Sequence, residues 1–171
     1  MSIKINDPFW ERYFELIRNE MIPYQWNVLH DRENIIIDKE RDDENIPSEK
    51  SHAIQNLRIA AGLDEGDHYG WLFQDSDVYK WLEGASNSYA IHPDDKLLSM
   101  MDEVISLIEA AQDEDGYIST YYQINNPTLK FRRLFESHEL YCAGHLIEAA
   151  VAHYKATGSE RLITVSNRFV Q

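Results

Sequence analysis

The chain has 171 residues, enough for one domain or part of one, because a chain of about 150 residues buries roughly two-thirds of its unfolded surface. Thirty acidic against sixteen basic residues give a net charge of −14, which repels phosphate backbones and anionic lipid and excludes nucleic acid as an expected partner. The single cysteine, Cys142, excludes an internal disulfide framework and a Cys-rich zinc site made by this chain alone.

The first residues, MSIKINDPFWERYF, lack the basic stretch and apolar run of a secretory signal. No segment approaches the ~20 apolar residues needed to span a bilayer. The expectation is a soluble, cytoplasmic protein with no membrane partner. From Phe9 to Leu29 the pattern is helical, with Phe9, Tyr13, Leu16 and Ile17 on one stripe. Pro23 interrupts it, which predicts two short helices. His30 to Lys50 is mostly polar and aperiodic, a long solvated loop in which Ile35, Ile36 and Ile37 could form a strand fragment.

Val78, Trp81, Leu82, Ala85 and Tyr89 recur at helical spacing and predict a helix over 77–91, with Ser76 and Asp77 as candidate caps. His92-Pro93-Asp94-Asp95 breaks and restarts the chain, and Leu98, Met101, Val104, Ile105 and Ile108 mark a second helix ending near Gln112. The stretch DEDGYISTYYQINNP reads as a loop. Beyond it, Leu146, Ala149, Ala150, His153 and Tyr154 define a third helix, closed by Thr157-Gly158-Ser159, and 160–171 opens a fourth.

Sliding the chain by 65 positions lays Glu83, Ala85, Tyr89, Asp95, Leu97 and Leu98 over Glu148, Ala150, Tyr154, Glu160, Leu162 and Ile163. Both copies read helix, breaker, helix. Hairpins of this kind cannot cover their own apolar faces and bury them by stacking on the next copy. The last helix has no closing glycine, basic turn or breaker, so the chain is expected to stop inside a helix of an unfinished array.

Three segments, FQDSDVYKWLE (73–83), AAQDEDGYISTYY (110–122) and SHELYCAGHLIEAAVAHYKATG (137–158), together with the opening PFWERYFELIRNEMIPYQW, resemble the amino-terminal part of the glycoside hydrolase family 127 barrel of β-L-arabinofuranosidases. The resemblance implies an all-α fold, a partial (α/α)6 barrel built of helical hairpins as in six-hairpin glycosidases, with residues 1–171 as its amino-terminal portion. It also implies retaining hydrolysis of β-L-arabinofuranosides and an arabinose-containing oligosaccharide as partner. Retention needs a nucleophile and an acid/base group. In the family the nucleophile is a cysteine held on zinc by further cysteines and a glutamate. Zinc is therefore expected in the complete enzyme through residues absent from this chain, which supplies neither catalytic residues nor metal ligands. A homo-oligomer through further domains stays open. An unsaturated-uronide hydrolase, a sugar epimerase or a non-catalytic helical scaffold are the competing readings.

By the resemblance, His138, the first His of the HELY-type motif, contacts sugar; by its position it could equally cap or pack a helix start. His145, seven residues on and about 20° around the helix, shares that face at greater depth, as a second substrate-side candidate or a hydrogen-bonded core histidine. Glu139 and Glu148 fall off that face, and the repeat of Glu148 as Glu83 points to a structural role between helices. Gln74 and Asp75, with Asp77, either cap a helix or bind hydroxyls at a barrel mouth. Asp115-Gly116-Tyr117 is a turn before an inner helix, making Tyr117, and with it Tyr121 and Tyr122, a rim candidate or a filler between helices. Cys142 reads as a small buried hydrophobe.

Overall fold

The computed structural model describes residues 5–35 and 50–171, and every regular element among them is helical. Helix α1 (Pro8–Leu16) starts where Asp7, in extended conformation, accepts the Phe9 and Trp10 amides at 2.9 and 3.2 Å, with Pro8 in the first turn. A π turn (Ile17–Met21) leads straight into α2 (Ile22–Leu29). Two short α-helices therefore form as expected, but the interruption is the π turn ahead of Pro23, which itself sits in the first turn of α2. In an α-helix the proline ring would strike the carbonyl four residues back. The wider turn, in which the Ile22 amide donates to the Ile17 carbonyl, carries the chain past that conflict. The expected stripe of Phe9, Tyr13, Leu16 and Ile17 is exposed, while Ile22, Trp26 and Leu29 of α2 are buried. Most of the 30–50 loop, with Ile36 and Ile37 of the possible strand, lies outside the described residues.

Helix α3 (Ala53–Ala60) was not evident in the sequence. After it come α4 (Asp75–Ile91) and α5 (Asp95–Ala111). Asp94 caps α5 by accepting the Lys96 and Leu97 amides at 2.7 and 3.0 Å. Within the segment expected to be loop, α6 (Thr120–Asn125) and a 3-10 turn (Pro127–Leu129) form, then the single turn α7 (Leu134–Ser137). Helix α8 (Glu139–Thr157) ends at Gly158, whose φ of 78° is left-handed and whose amide donates to the Tyr154 carbonyl at 2.8 Å. Helix α9 (Arg161–Val170) follows.

Helices α4 and α8 run parallel and form the most extensive helix pair, with α5 and α9 packed behind them. Their starts, Asp75 and Glu139, lie 64 residues apart; the starts of α5 and α9, Asp95 and Arg161, lie 66 apart, so the sequence repeat is a repeat of hairpins. Fully buried Val78, Leu82 and Ala85 of α4 share one core with Leu146, Ala149 and Ala150 of α8. The alanines have no bulk beyond Cβ, so the two backbones come close. Met101, Val104, Ile105 and Ile108 of α5 and Leu162 and Val165 of α9 close the layer behind. Arg161 pins the outer pair, bonding Glu109 at 2.6 Å, Ser106 at 2.8 Å and Asp102 at 3.2 Å. Trp81 Nε1 donates to the Ile22 carbonyl at 3.2 Å and its ring packs on Trp26, which fastens α2 to α4.

Candidate functional site

Parallel inner helices gather their starts at one end of the molecule. The Asp115-Gly116-Tyr117 turn lies at that end too, held against the last turn of α9. Gly116 has a φ of 88°, and a Cβ there would fall 2.2 Å from the Arg168 carbonyl oxygen. Gln112 Nε2 donates to the Gly116 and Val165 carbonyls at 2.7 and 2.8 Å, and Arg168 donates to the Asp113 carbonyl at 3.0 Å.

Both inner helices begin with a buried carboxylate. Asp75 accepts the Thr120 amide at 2.8 Å and the Thr120 hydroxyl at 2.6 Å. Burial pushes its carboxyl above the usual range, and the two Thr120 bonds oppose that rise. Glu139 Oε1 accepts the Phe131 amide at 2.9 Å and the Tyr117 hydroxyl. Tyr117 is only 3% exposed, and burial, then the neighbouring Glu139, raises its pKa, so the phenol stays a donor. Tyr117 is thus placed as the filler between helices rather than on the rim, and Asp75 faces inward. Ser76 and Asp77 lie inside the first turn of α4 and make no cap to it.

The residues before these acids differ. Gln74 is buried in right-handed conformation. Its Oε1 accepts the Trp71 amide at 3.3 Å, and its Nε2 donates to Asp77 at 3.1 Å and Ser51 at 3.4 Å. His138 is exposed, with φ 53° and ψ 16°, and its Nδ1–H donates to the Glu136 carbonyl at 2.9 Å, which leaves Nε2 for a ligand. Its ring belongs to a continuous aromatic patch: Trp71 stacks on Phe73, Phe73 meets His138 at 5.1 Å, and Tyr141 packs on both His138 and His145. Lys80 donates to the Tyr141 hydroxyl at 2.6 Å. On the other side of Lys80 an open pocket of about 320 Å³ is lined by Gln25, Ser51, Gln74, Asp77, Lys80 and Trp81. His138 is not part of that pocket; Lys80 joins the two. Aromatic faces beside amide, carboxylate and ammonium groups suit a polyhydroxylated ligand, whose C–H faces stack and whose hydroxyls need directional partners.

His145 lies deeper on α8, half-buried. Its Nδ1 is 3.1 Å from Glu148, three residues on, and Glu83 of α4 completes a group whose donor atoms all lie within 4.8 Å of one another. The side chains of Glu148 and His145 therefore reach each other, although they were expected on different faces. The repeat of Glu83 as Glu148 was the signal that could have found this pairing. Among the described residues this trio is the grouping able to hold a metal ion. Cys142 does not fit a zinc-thiolate role: it is buried, its Sγ faces the Phe73 carbonyl at 3.7 Å, and burial pushes its pKa up to about 12. No helix among the described residues is long and apolar enough to cross a membrane.

The model of the β-L-arabinofuranosidase, GH127 catalytic domain, matches residues 2–171. The chain belongs to this family. A non-reducing end β-L-arabinofuranosidase of Bifidobacterium longum subsp. longum is 41% identical over 172 residues, covering 98% of this chain and 26% of the relative. Among solved structures, a GH127 β-L-arabinofuranosidase from Geobacillus stearothermophilus T6 superposes with a TM-score of 0.87 at 45% identity, over 99% of this chain and 25% of that one. A second GH127 β-arabinofuranosidase gives 0.78 at 30% identity, over 98% and 25%. The chain thus spans about a quarter of the length of the GH127 relatives it matches. The family and the relatives it matches are arabinofuranosidases, not uronide hydrolases or epimerases.

Proposed function

We propose that these residues form the amino-terminal part of one (α/α)6 catalytic barrel, in a protein that hydrolyses β-L-arabinofuranosides with retention, and that they supply substrate contacts to it. Support comes from the family membership and from one observation above all: His138 stands exposed at an inner-helix start, its Nδ1 occupied and its Nε2 open, within an aromatic patch. It would hydrogen-bond a sugar hydroxyl and so position the substrate. Gln74, whose carboxamide lines the neighbouring pocket, is the second contact; His145 supports the patch from below through Tyr141. The partner is an arabinose-containing oligosaccharide. The nucleophile, the acid/base group and any zinc-thiolate chemistry belong to residues other than these.

A positioned hydrogen bond in a closed sugar site contributes on the order of 1–3 kcal/mol, about ten- to a hundredfold in rate, whereas a lost general acid typically costs about 10²–10⁴-fold. His138→Ala in the full-length protein, assayed on an aryl β-L-arabinofuranoside beside His145→Ala, should fall in the smaller range and exceed the His145 effect. A folded His138→Ala protein with unchanged kcat/KM would remove the substrate role.

A further inference from the structure

We infer that Glu139 is a positioning residue for His138: its buried carboxylate, gripping the Phe131 amide and the Tyr117 hydroxyl, fixes the segment that delivers His138 to the inner-helix mouth. This rests on the proposed contact between His138 and sugar.

His138 owes its exposure to its backbone. Leu134–Ser137 makes one helical turn, His138 reverses into the left-handed region at φ 53°, and α8 starts at the next residue. Phe131, seven residues earlier, is also left-handed, at φ 55°. Neither residue is glycine, and such conformations cost on the order of 1 kcal/mol or more each unless the surroundings hold them. Glu139 supplies that hold. It is 1% exposed, and a single oxygen, Oε1, accepts both the Phe131 amide at 2.9 Å and the Tyr117 hydroxyl, while Oε2 is buried without a protein partner.

The far side of the grip is rigid. Tyr117 follows the Gly116 turn locked to α9, and its carbonyl accepts the Asp113 amide at 2.9 Å. Lys130 lies over the Tyr117 ring at 4.6 Å and bonds Asp113 at 2.5 Å, so the residue before Phe131 is tied to the same turn. The Phe131 ring meets Tyr117 edge-on at 5.0 Å. The path from scaffold to ligand group therefore runs α9, Gly116 turn, Tyr117, Glu139, Phe131, His138. Asp75 at the start of α4 grips one amide and one hydroxyl in the same way, which makes the buried carboxylate a repeated device for setting the start of an inner helix.

The test is a double-mutant cycle in the full-length enzyme with an aryl β-L-arabinofuranoside, with melting temperatures measured throughout. Glu139→Ala and Tyr117→Phe should each lower kcat/KM about tenfold, the size of one misplaced hydrogen bond, and neither should lower it further in a His138→Ala background. Glu139→Gln keeps a carbonyl oxygen in place of Oε1 and should recover activity to within about threefold of wild type by the same scale. If the Glu139 and His138 losses multiply, Glu139 acts on the fold at large and the positioning role is wrong. Wild-type kcat/KM in folded Glu139→Ala and Tyr117→Phe would equally overturn it. Should Glu139→Ala fail to fold, Tyr117→Phe carries the cycle alone. A silent His138→Ala is a separate failure, of the substrate contact itself, and is read from that single variant.

Discussion

Asp75 and Glu139 hold the same place in two repeat-related helices: each is the first residue, each is buried, and each accepts one backbone amide and one hydroxyl. The residues just before them part company. Gln74 continues the right-handed turn and tucks its carboxamide among Trp71, Ser51 and Asp77; His138 turns left-handed and lifts its ring into solvent. The shared acid answers a shared need, since unpaired amides at a helix start favour an anion. One backbone dihedral then decides whether the adjacent side chain lies buried along the pocket, as Gln74 does, or stands in solvent, as His138 does.

The strongest way to break the α8 arrangement without touching it is Gly116→Ala. The added Cβ would meet a backbone oxygen of α9 and the positive φ would be strained, so a loss above about 3 kcal/mol is expected. A melting temperature within a few degrees of wild type would show that the turn does not depend on α9.

On the α4 side, Thr120→Val removes a hydroxyl from a buried carboxylate while keeping shape, at an expected cost of about 1.5–3 kcal/mol. The same change of one hydroxyl at Tyr117→Phe should cost less stability than activity, because Tyr117 supports the segment that carries His138, whereas Thr120 bonds the buried Asp75 at the start of α4. Chemical denaturation of both variants compares them; equal stability losses with equal activities would erase the distinction between the two starts.

A pH dependence belongs to the α4 side as well. His68 packs on Tyr121, next to Thr120, and burial lowers its pKa to about 4. The unfolded chain, with an imidazole near pH 6.5, binds the proton first, so stability should fall as pH drops from about 6.5 to 4. The size is on the order of 1–3 kcal/mol, and His68→Gln should flatten the curve in that window. An unchanged slope in His68→Gln would assign the dependence elsewhere, His153 being shifted the same way by burial. The smallest effect is expected at Cys142, which touches Phe73 between the two starts. Its thiol, raised to about 12, should resist an aromatic disulfide reagent at pH 8 until the protein is unfolded, and Cys142→Ala should cost about 1 kcal/mol.

The long helices were legible in the sequence because their apolar residues repeat at helical spacing: the Met101, Val104, Ile105 and Ile108 stripe of α5 is buried as the period requires. The 65-residue repeat carried the hairpin pairing. What escaped was set by contacts distant in sequence. Helix α6 lies in a run with no apolar period and owes its start to the bond between Thr120 and Asp75, 45 residues away. The π turn that separates α1 from α2 ahead of Pro23 is announced by no residue. In the site, the motif offered His138 as a candidate whose sugar contact stands as a proposal, whereas the inward turn of Tyr117 was not legible, because a tyrosine after a turn can face either way until its partner, Glu139, is known.

The central claim, that the start of α8 presents His138 to the sugar while the acid behind it holds the fold, is tested most directly by a crystal structure of the full-length protein with L-arabinofuranose bound. The account predicts a sugar hydroxyl within about 3 Å of His138 Nε2, with Tyr117 still donating to Glu139 and Asp75 still holding Thr120. A sugar bound with His138 out of reach, or bonded to Tyr117 or Asp75, would contradict it.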